Sequence, residues 1–212
     1  LQKLAKETLP QGYQVDYGGQ SRQYIQESSG FLATFAFALI VIFLSLSALF
    51  ESFRDPLIIL ISVPMSLAGA LIFIALGVGG ATLNIYTEVG LVTLMGLISK
   101  HGILIVEFAN DQQMQGKSKR EAVEIAAGIR LRPILMTTAA MVFGVAPLLV
   151  ATGAGAVSRF NLGLVIASGM AIGTLFTLFV VPAAYTLLAA DHSKARALAE
   201  AKEAMEGIPD EA

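Results

Sequence analysis

Gly96-Leu97-Ile98-Ser99-Lys100-His101-Gly102-Ile103-Leu104-Ile105-Val106-Glu107-Phe108 places a lysine inside one of the most apolar stretches of the chain. By insertion scales, a lysine at the centre of a membrane helix costs roughly 2.5–3.5 kcal/mol unless something neutralises or hydrates it. Lys100 is therefore both the marker of a membrane span and the first candidate for a working residue. On a helix, positions seven apart share a face, so Thr93, Lys100 and Glu107 form one stripe, with Gly96 a turn before the lysine. A glycine there lets another helix come close.

Composition extends this reading to the whole chain. Of 212 residues, 55% are hydrophobic and only 14% charged, and the mean hydropathy is +0.71, far from the mix of a soluble domain. This predicts a membrane protein. The chain starts at Leu1, in polar sequence, with neither an initiator Met nor a signal-peptide pattern, and is expected to be part of a longer protein. With no cysteine, disulfides, thiol catalysis and thiolate metal sites are excluded, and His101 and His192 are too far apart to suggest a ligand pair. No metal or cofactor is expected.

Apolar runs of about 20 residues, the length that crosses the hydrocarbon core, occur at 31–50, 56–76, 83–109, 133–150 and 162–190. The predicted fold is an all-α membrane protein, a bundle of five transmembrane helices over residues 28–190. Pro56 and Pro133 stand where helices can begin, whereas Pro64, Pro147 and Pro182 fall inside apolar runs and should kink them. Alternating the loops between sides puts Arg54, Lys117, Lys119, Arg120, Arg130, Arg132, Lys194, Arg196 and Lys202 together, against Arg159 alone in the short opposing loops. The basic side is then cytoplasmic and the N-terminal tail lies outside. In that tail Tyr13, Val15 and Tyr17 alternate as in a strand, Gly18-Gly19 interrupts it, and residues 21–30 lead helically into the first span. Ser118-Lys119-Arg120-Glu121 reads as a capping box opening a short helix along the inner surface. Residues 191–212 read as a solvated cytoplasmic tail.

The acids within reach of Lys100 are few. Glu88 is about 18 Å away along the axis and on a different face, and Glu107 is about 10 Å away near the inner boundary. No aspartate falls inside the five predicted spans, so the counter-charge is expected from outside this chain. Arg130 and Thr137 are also seven apart and share a face; read alone, Arg130 and Arg132 are boundary anchors and the threonines pack helices. His101 points about 100° away from Lys100 and reads as a packing or interfacial residue. Gly169 and Gly173 form a small-xxx-small contact. There is no phosphate loop, no Ser, His and acid arrangement, and no zinc-protease helix. An enzyme is not expected.

The run from Gly96 to Ala109, followed by Arg130-Leu131-Arg132-Pro133-Ile134-Leu135-Met136-Thr137-Thr138, closely resembles the resistance-nodulation-division (RND) multidrug efflux pumps of the hydrophobe/amphiphile branch. The likeness continues through Leu49-Phe50-Glu51-Ser52-Phe53, Val63-Pro64, Gly144-Val145-Ala146-Pro147-Leu148, Gly153-Ala154-Gly155 and Phe179-Val180-Val181-Pro182. It implies that the five spans are the last five of a twelve-helix subunit and that residues 1–27 are the end of its periplasmic porter domain. It further implies a homotrimer in the bacterial inner membrane that couples proton influx to drug export through a periplasmic adaptor and an outer-membrane channel. By the same resemblance, Lys100, Arg130 and Thr137 match the lysine, arginine and threonine of the family's proton relay. Its acidic pair would lie on a helix of the missing N-terminal half. Membrane lipid is an expected partner and nucleic acid is not. A second reading makes the chain a transport-incompetent structural fragment or assembly partner. A third, a sterol-sensing or protein-export relative, fits the Arg-Leu-Arg-Pro-Ile-Leu-Met-Thr run less well.

Overall fold

The structure, a computed structural model, describes residue 16 and residues 18–190. The expected strand around Tyr13, Val15 and Tyr17, most of the porter-domain remnant and the C-terminal tail lie outside the described residues. Within them the chain is an all-α bundle with five helical segments long and apolar enough to cross a membrane.

The first helix, α1 (Gly19–Phe50), starts directly after the extended Gly18, as the glycine pair suggested. The second span consists of α2 (Arg54–Leu60) and α3 (Ser62–Ala75), interrupted at Ile61. Pro64 accounts for the break, because it has no N–H to donate to the Leu60 carbonyl and its ring crowds that oxygen. Arg54 and Asp55 therefore belong to the first turn of α2 rather than to a loop. Gly77 and Gly79, both at φ +63°, supply the left-handed backbone of the short turn that follows.

Asn84 caps α4 (Ile85–Met114). Its Oδ1 accepts from the backbone N–H of Tyr86 at 2.9 Å and of Thr87 at 3.1 Å, while Thr87 Oγ1 accepts from Asn84 N–H at 2.8 Å. Glu88, expected at the membrane interface, stands in this first turn and is buried among the helices, where a negative charge complements the helix dipole. The helix runs to Met114, past the predicted end at 109, and places Lys100 at its middle, about 21 Å from either end.

The expectation of a separate surface helix followed by a fourth span from Pro133 is corrected. Ser118 does cap a helix, accepting from Glu121 N–H at 3.3 Å, but that helix, α5 (Lys119–Leu149), continues unbroken through Pro133 and Pro147. Each proline removes one backbone donor, and both stand on the exposed side of α5, so neither ends the helix. The last helix is α6 (Ala156–Leu188).

Packing places α6 at the centre and α1 at the rim: 61% of the apolar window of α6 is buried, against 6% for α1. The small residues read from sequence are where α6 is approached most closely. A Cβ on Gly173 would lie 2.9 Å from Ile98 Cδ1 and 3.2 Å from the Ser66 Cα, and Gly169 packs directly on Leu94. Two apolar cores result. One contains Val63, Leu94, Met95, Ile98, Val165 and Met170, and the other Ile59, Ile105, Val106, Ile134, Val181 and Tyr185. Between them, at the level of Lys100, lies a buried polar layer of Ser99, His101, Thr138, Thr174 and Thr177.

Candidate functional site

Thr93, Gly96, Lys100 and Glu107 all stand on one exposed face of α4, so the stripe read from sequence is real and faces outward. No heavy atom lies within 4 Å of where a Gly96 Cβ would sit. Lys100 takes part in no ion pair among the described residues. A lysine halfway along a membrane helix and on the outside of the bundle would meet lipid, which it tolerates poorly. This face therefore needs a cover that brings negative charge or water.

The other two candidates lie where α4 meets α5. Thr137 Oγ1 is 3.4 Å from His101 Nε2, and the Arg130 guanidinium sits over the Phe108 ring at 4.9 Å. The two contacts are seven residues apart on both helices and in opposite order, so α4 and α5 run antiparallel in fixed register over about 10 Å. The structure thus aligns Arg130 and Thr137 along one seam beside the lysine face. It brings Thr137 against the residue after Lys100 rather than against Lys100 itself. Arg130 is half-buried, and its Nε has no hydrogen-bond partner among the described residues. A buried guanidinium N–H left open is a donor awaiting an acceptor. The cation–π contact with Phe108 offsets part of the cost.

His101 takes the packing role of the two expected for it, and adds polar contacts to it. It is 1% exposed, and its second ring nitrogen, Nδ1, lies 3.4 Å from Thr174 Oγ1 on α6, which in turn is 2.9 Å from Thr138 Oγ1. The signal was present in the sequence: His101 and Phe108 repeat the seven-residue spacing of Thr137 and Arg130. Reading it required the register of two helices.

A second polar cluster was not foreseen. Asp55 is 1% exposed. Its Oδ2 accepts from Asn110 Nδ2 at 3.0 Å, and Tyr185 O–H donates to Asn110 Oδ1 at 2.6 Å. Gln113 Nε2 donates to the same tyrosine oxygen at 2.7 Å. Lys119 Nζ closes this end of the bundle by donating to the Ala189 carbonyl at 2.8 Å. The cluster ties α2, α4 and α6 together where the basic residues gather.

Comparison with known proteins agrees with this architecture. The family model described as AcrB/AcrD/AcrF family matches residues 1–189. The chain is 54% identical over 197 residues to a protein named as an uncharacterized transporter of Haemophilus influenzae, covering 91% of this chain and 19% of that protein. It is 40% identical over 182 residues to the toluene efflux pump membrane transporter TtgB of Pseudomonas putida, covering 86% of this chain and 17% of TtgB. It is 39% identical over 181 residues to the multidrug resistance protein MdtF of Escherichia coli K12, covering 85% of this chain and 17% of MdtF. The chain thus spans less than a fifth of the length of these relatives. With five membrane-length helices in this arrangement and a match along nearly its whole length, the chain belongs to the AcrB/AcrD/AcrF family of RND transporters.

Proposed function

We propose that this chain is the C-terminal transmembrane part of a proton-driven pump that exports drugs or other amphiphilic compounds, and that it contributes the lysine side of the proton relay. The observation that carries the proposal is the position of Lys100: mid-membrane, on an open face, without an ion pair among the described residues. The printed names of TtgB and MdtF, which refer to toluene efflux and multidrug resistance, support the class of cargo. In this reading the N-terminal half of the subunit covers the Lys100 face and supplies an acidic pair. Arg130, with its open Nε, and Thr137 complete the relay from the α4–α5 seam.

The mechanism follows from charge balance. While the partner carboxylates are ionised, they hold the Lys100 ammonium at small net cost. Protonating them removes that anchor, and the two halves settle into a different arrangement. Proton entry thereby becomes helix movement. Each proton crossing 100 mV contributes about 2.3 kcal/mol, to which the pH gradient adds. The working unit in this proposal is a homotrimer in the bacterial inner membrane, with the N-terminal tail periplasmic and the basic end of the bundle cytoplasmic. A periplasmic adaptor and an outer-membrane channel complete the export path. Residues 1–27 form the end of the porter domain and residues 191–212 a cytoplasmic tail.

The test uses a full-length subunit carrying this segment, expressed in an efflux-deficient bacterium. Lys100→Ala and Lys100→Met should abolish drug export while the protein remains inserted and trimeric. Near-normal drug resistance in either variant would sink the proposal.

A further inference from the structure

His101 is not among the relay residues proposed above, yet it is the most buried titratable side chain beside them and touches both α5 and α6. For the neutral ring, its hydrogen positions follow from counting donors and acceptors. The Thr137 hydroxyl donates to the Ile134 carbonyl at 3.0 Å, so toward His101 its oxygen can only accept. Nε2 must then carry the hydrogen. A neutral imidazole has one donor and one acceptor, which leaves Nδ1 to accept from the Thr174 hydroxyl, 3.4 Å away. The Thr174 oxygen accepts in turn from Thr138 at 2.9 Å. The result is a directed chain, Thr138 to Thr174 to His101 to Thr137 to Ile134, in which each of these polar hydrogens is used once. It runs from Thr138 on α5 to Thr174 on α6, then through His101 on α4 and back to Thr137 on α5, at the depth of Lys100.

We propose that His101, as the neutral tautomer with the hydrogen on Nε2, is a positioning residue for the proton relay. It holds the Thr137 hydroxyl in one orientation and, through Thr174 and Thr138, joins α6 to the element that responds to the proton. This inference rests on the relay reading of Lys100, Arg130 and Thr137. With its hydrogen on Ile134 and one lone pair accepting from His101, the Thr137 oxygen presents its remaining lone pair in a single direction to a cationic donor. With a nonpolar side chain at 101, the Thr137 oxygen loses the donor that helps to fix it and Thr174 loses its acceptor.

The experiment again uses the full-length subunit, assayed for drug efflux against pH. His101→Leu removes both ring contacts and should lower maximal efflux by about tenfold and displace the pH profile. His101→Gln places an amide N–H near the position of Nε2 and should stay within about threefold of the parent, with the parent's pH profile. Nitrogen NMR of histidine-labelled protein in lipid nanodiscs should show His101 neutral, protonated on Nε2, over the pH range in which transport runs. Parent-like efflux and pH profile in His101→Leu, in a protein that Lys100→Ala inactivates, would overturn the positioning role alone. Parent-like efflux in Lys100→Ala would instead remove the relay reading and this inference with it. A hydrogen on Nδ1 in the spectrum would overturn the inference even if His101→Leu failed to insert.

Discussion

At the scale of single residues, the bundle shows how differently polar groups behave in and out of company. Asp55 sits 1% exposed with its Oδ2 bonded to Asn110 and no partner on Oδ1 among the described residues. Asn110 is therefore the carboxylate's principal support, and Tyr185 holds Asn110 in place. Losing one partner of a buried polar pair costs more than replacing both by apolar groups of similar size. Tyr185→Phe should destabilise the transporter by about 1–3 kcal/mol, since it removes the donor to Asn110 Oδ1 and the acceptor of one Gln113 hydrogen bond together. Asn110→Leu should cost more, and the double variant Asp55→Leu/Asn110→Leu should recover part of that loss. Chemical unfolding of the purified transporter in detergent measures all three, and a double variant less stable than Asn110→Leu would contradict the account. None of this was legible in the sequence. Glu51 to Asp55 reads as a polar connection, and only the start of α2 at Arg54, with α4 extended to Met114, turns Asp55 inward toward Asn110.

At the scale of helices, close contacts and open faces can be told apart residue by residue. Gly173 is filled on one side by Ser66 of α3 and on another by Ile98 of α4, with a Cβ falling 3.2 Å from the Ser66 backbone. A backbone cannot step aside as a side-chain tip can, so Gly173→Val should force α3 and α6 apart and cost about 1–3 kcal/mol or more. Gly96 has nothing near it. Gly96→Leu should therefore leave this five-helix bundle as stable as the parent, yet abolish efflux in the full-length subunit if the second half packs on the lysine face. Retained efflux in that variant would show the face to be open in the working pump. The helix-scale reading from sequence was sound where local chemistry decides. Examples are the Ser118 cap, the glycine pair before α1, the break near Pro64 and the Gly169-Gly173 contact. It failed at Pro133, where local chemistry favours a helix start, whereas α5 begins at the Ser118 cap and runs straight through the proline. The outward stripe on α4 was legible because a seven-residue period needs only one helix. The His101–Thr137 and His101–Thr174 contacts were not, because they need three.

At the scale of the whole molecule, the question is what this bundle can do by itself. Its two apolar cores are continuous, with α6 as the centre around which α3, α4 and α5 pack. Its charge at Lys100 has no ion-pair partner among the described residues. The acids of α4 are placed away from Lys100: Glu88 is buried near the start of the helix, and Glu107 and Asp111 stand exposed about 10 Å and about 16 Å farther along the helix. None can form with Lys100 the alternately protonated pair that coupling requires, since a proton can move helices only where its binding changes a charge that holds them. The bundle reconstituted alone in liposomes should then pass no protons under an imposed pH gradient, although its helices are inserted. Supplying the other half of the subunit as a separate polypeptide should restore drug-dependent proton flux, and Lys100→Met in the bundle should remove it again. Proton flux from the bundle alone, above that of protein-free liposomes and sensitive to Lys100→Met, would mean that the relay is complete within these residues. Its acids would then be sought among Glu107, Asp111, Glu88 and Asp55.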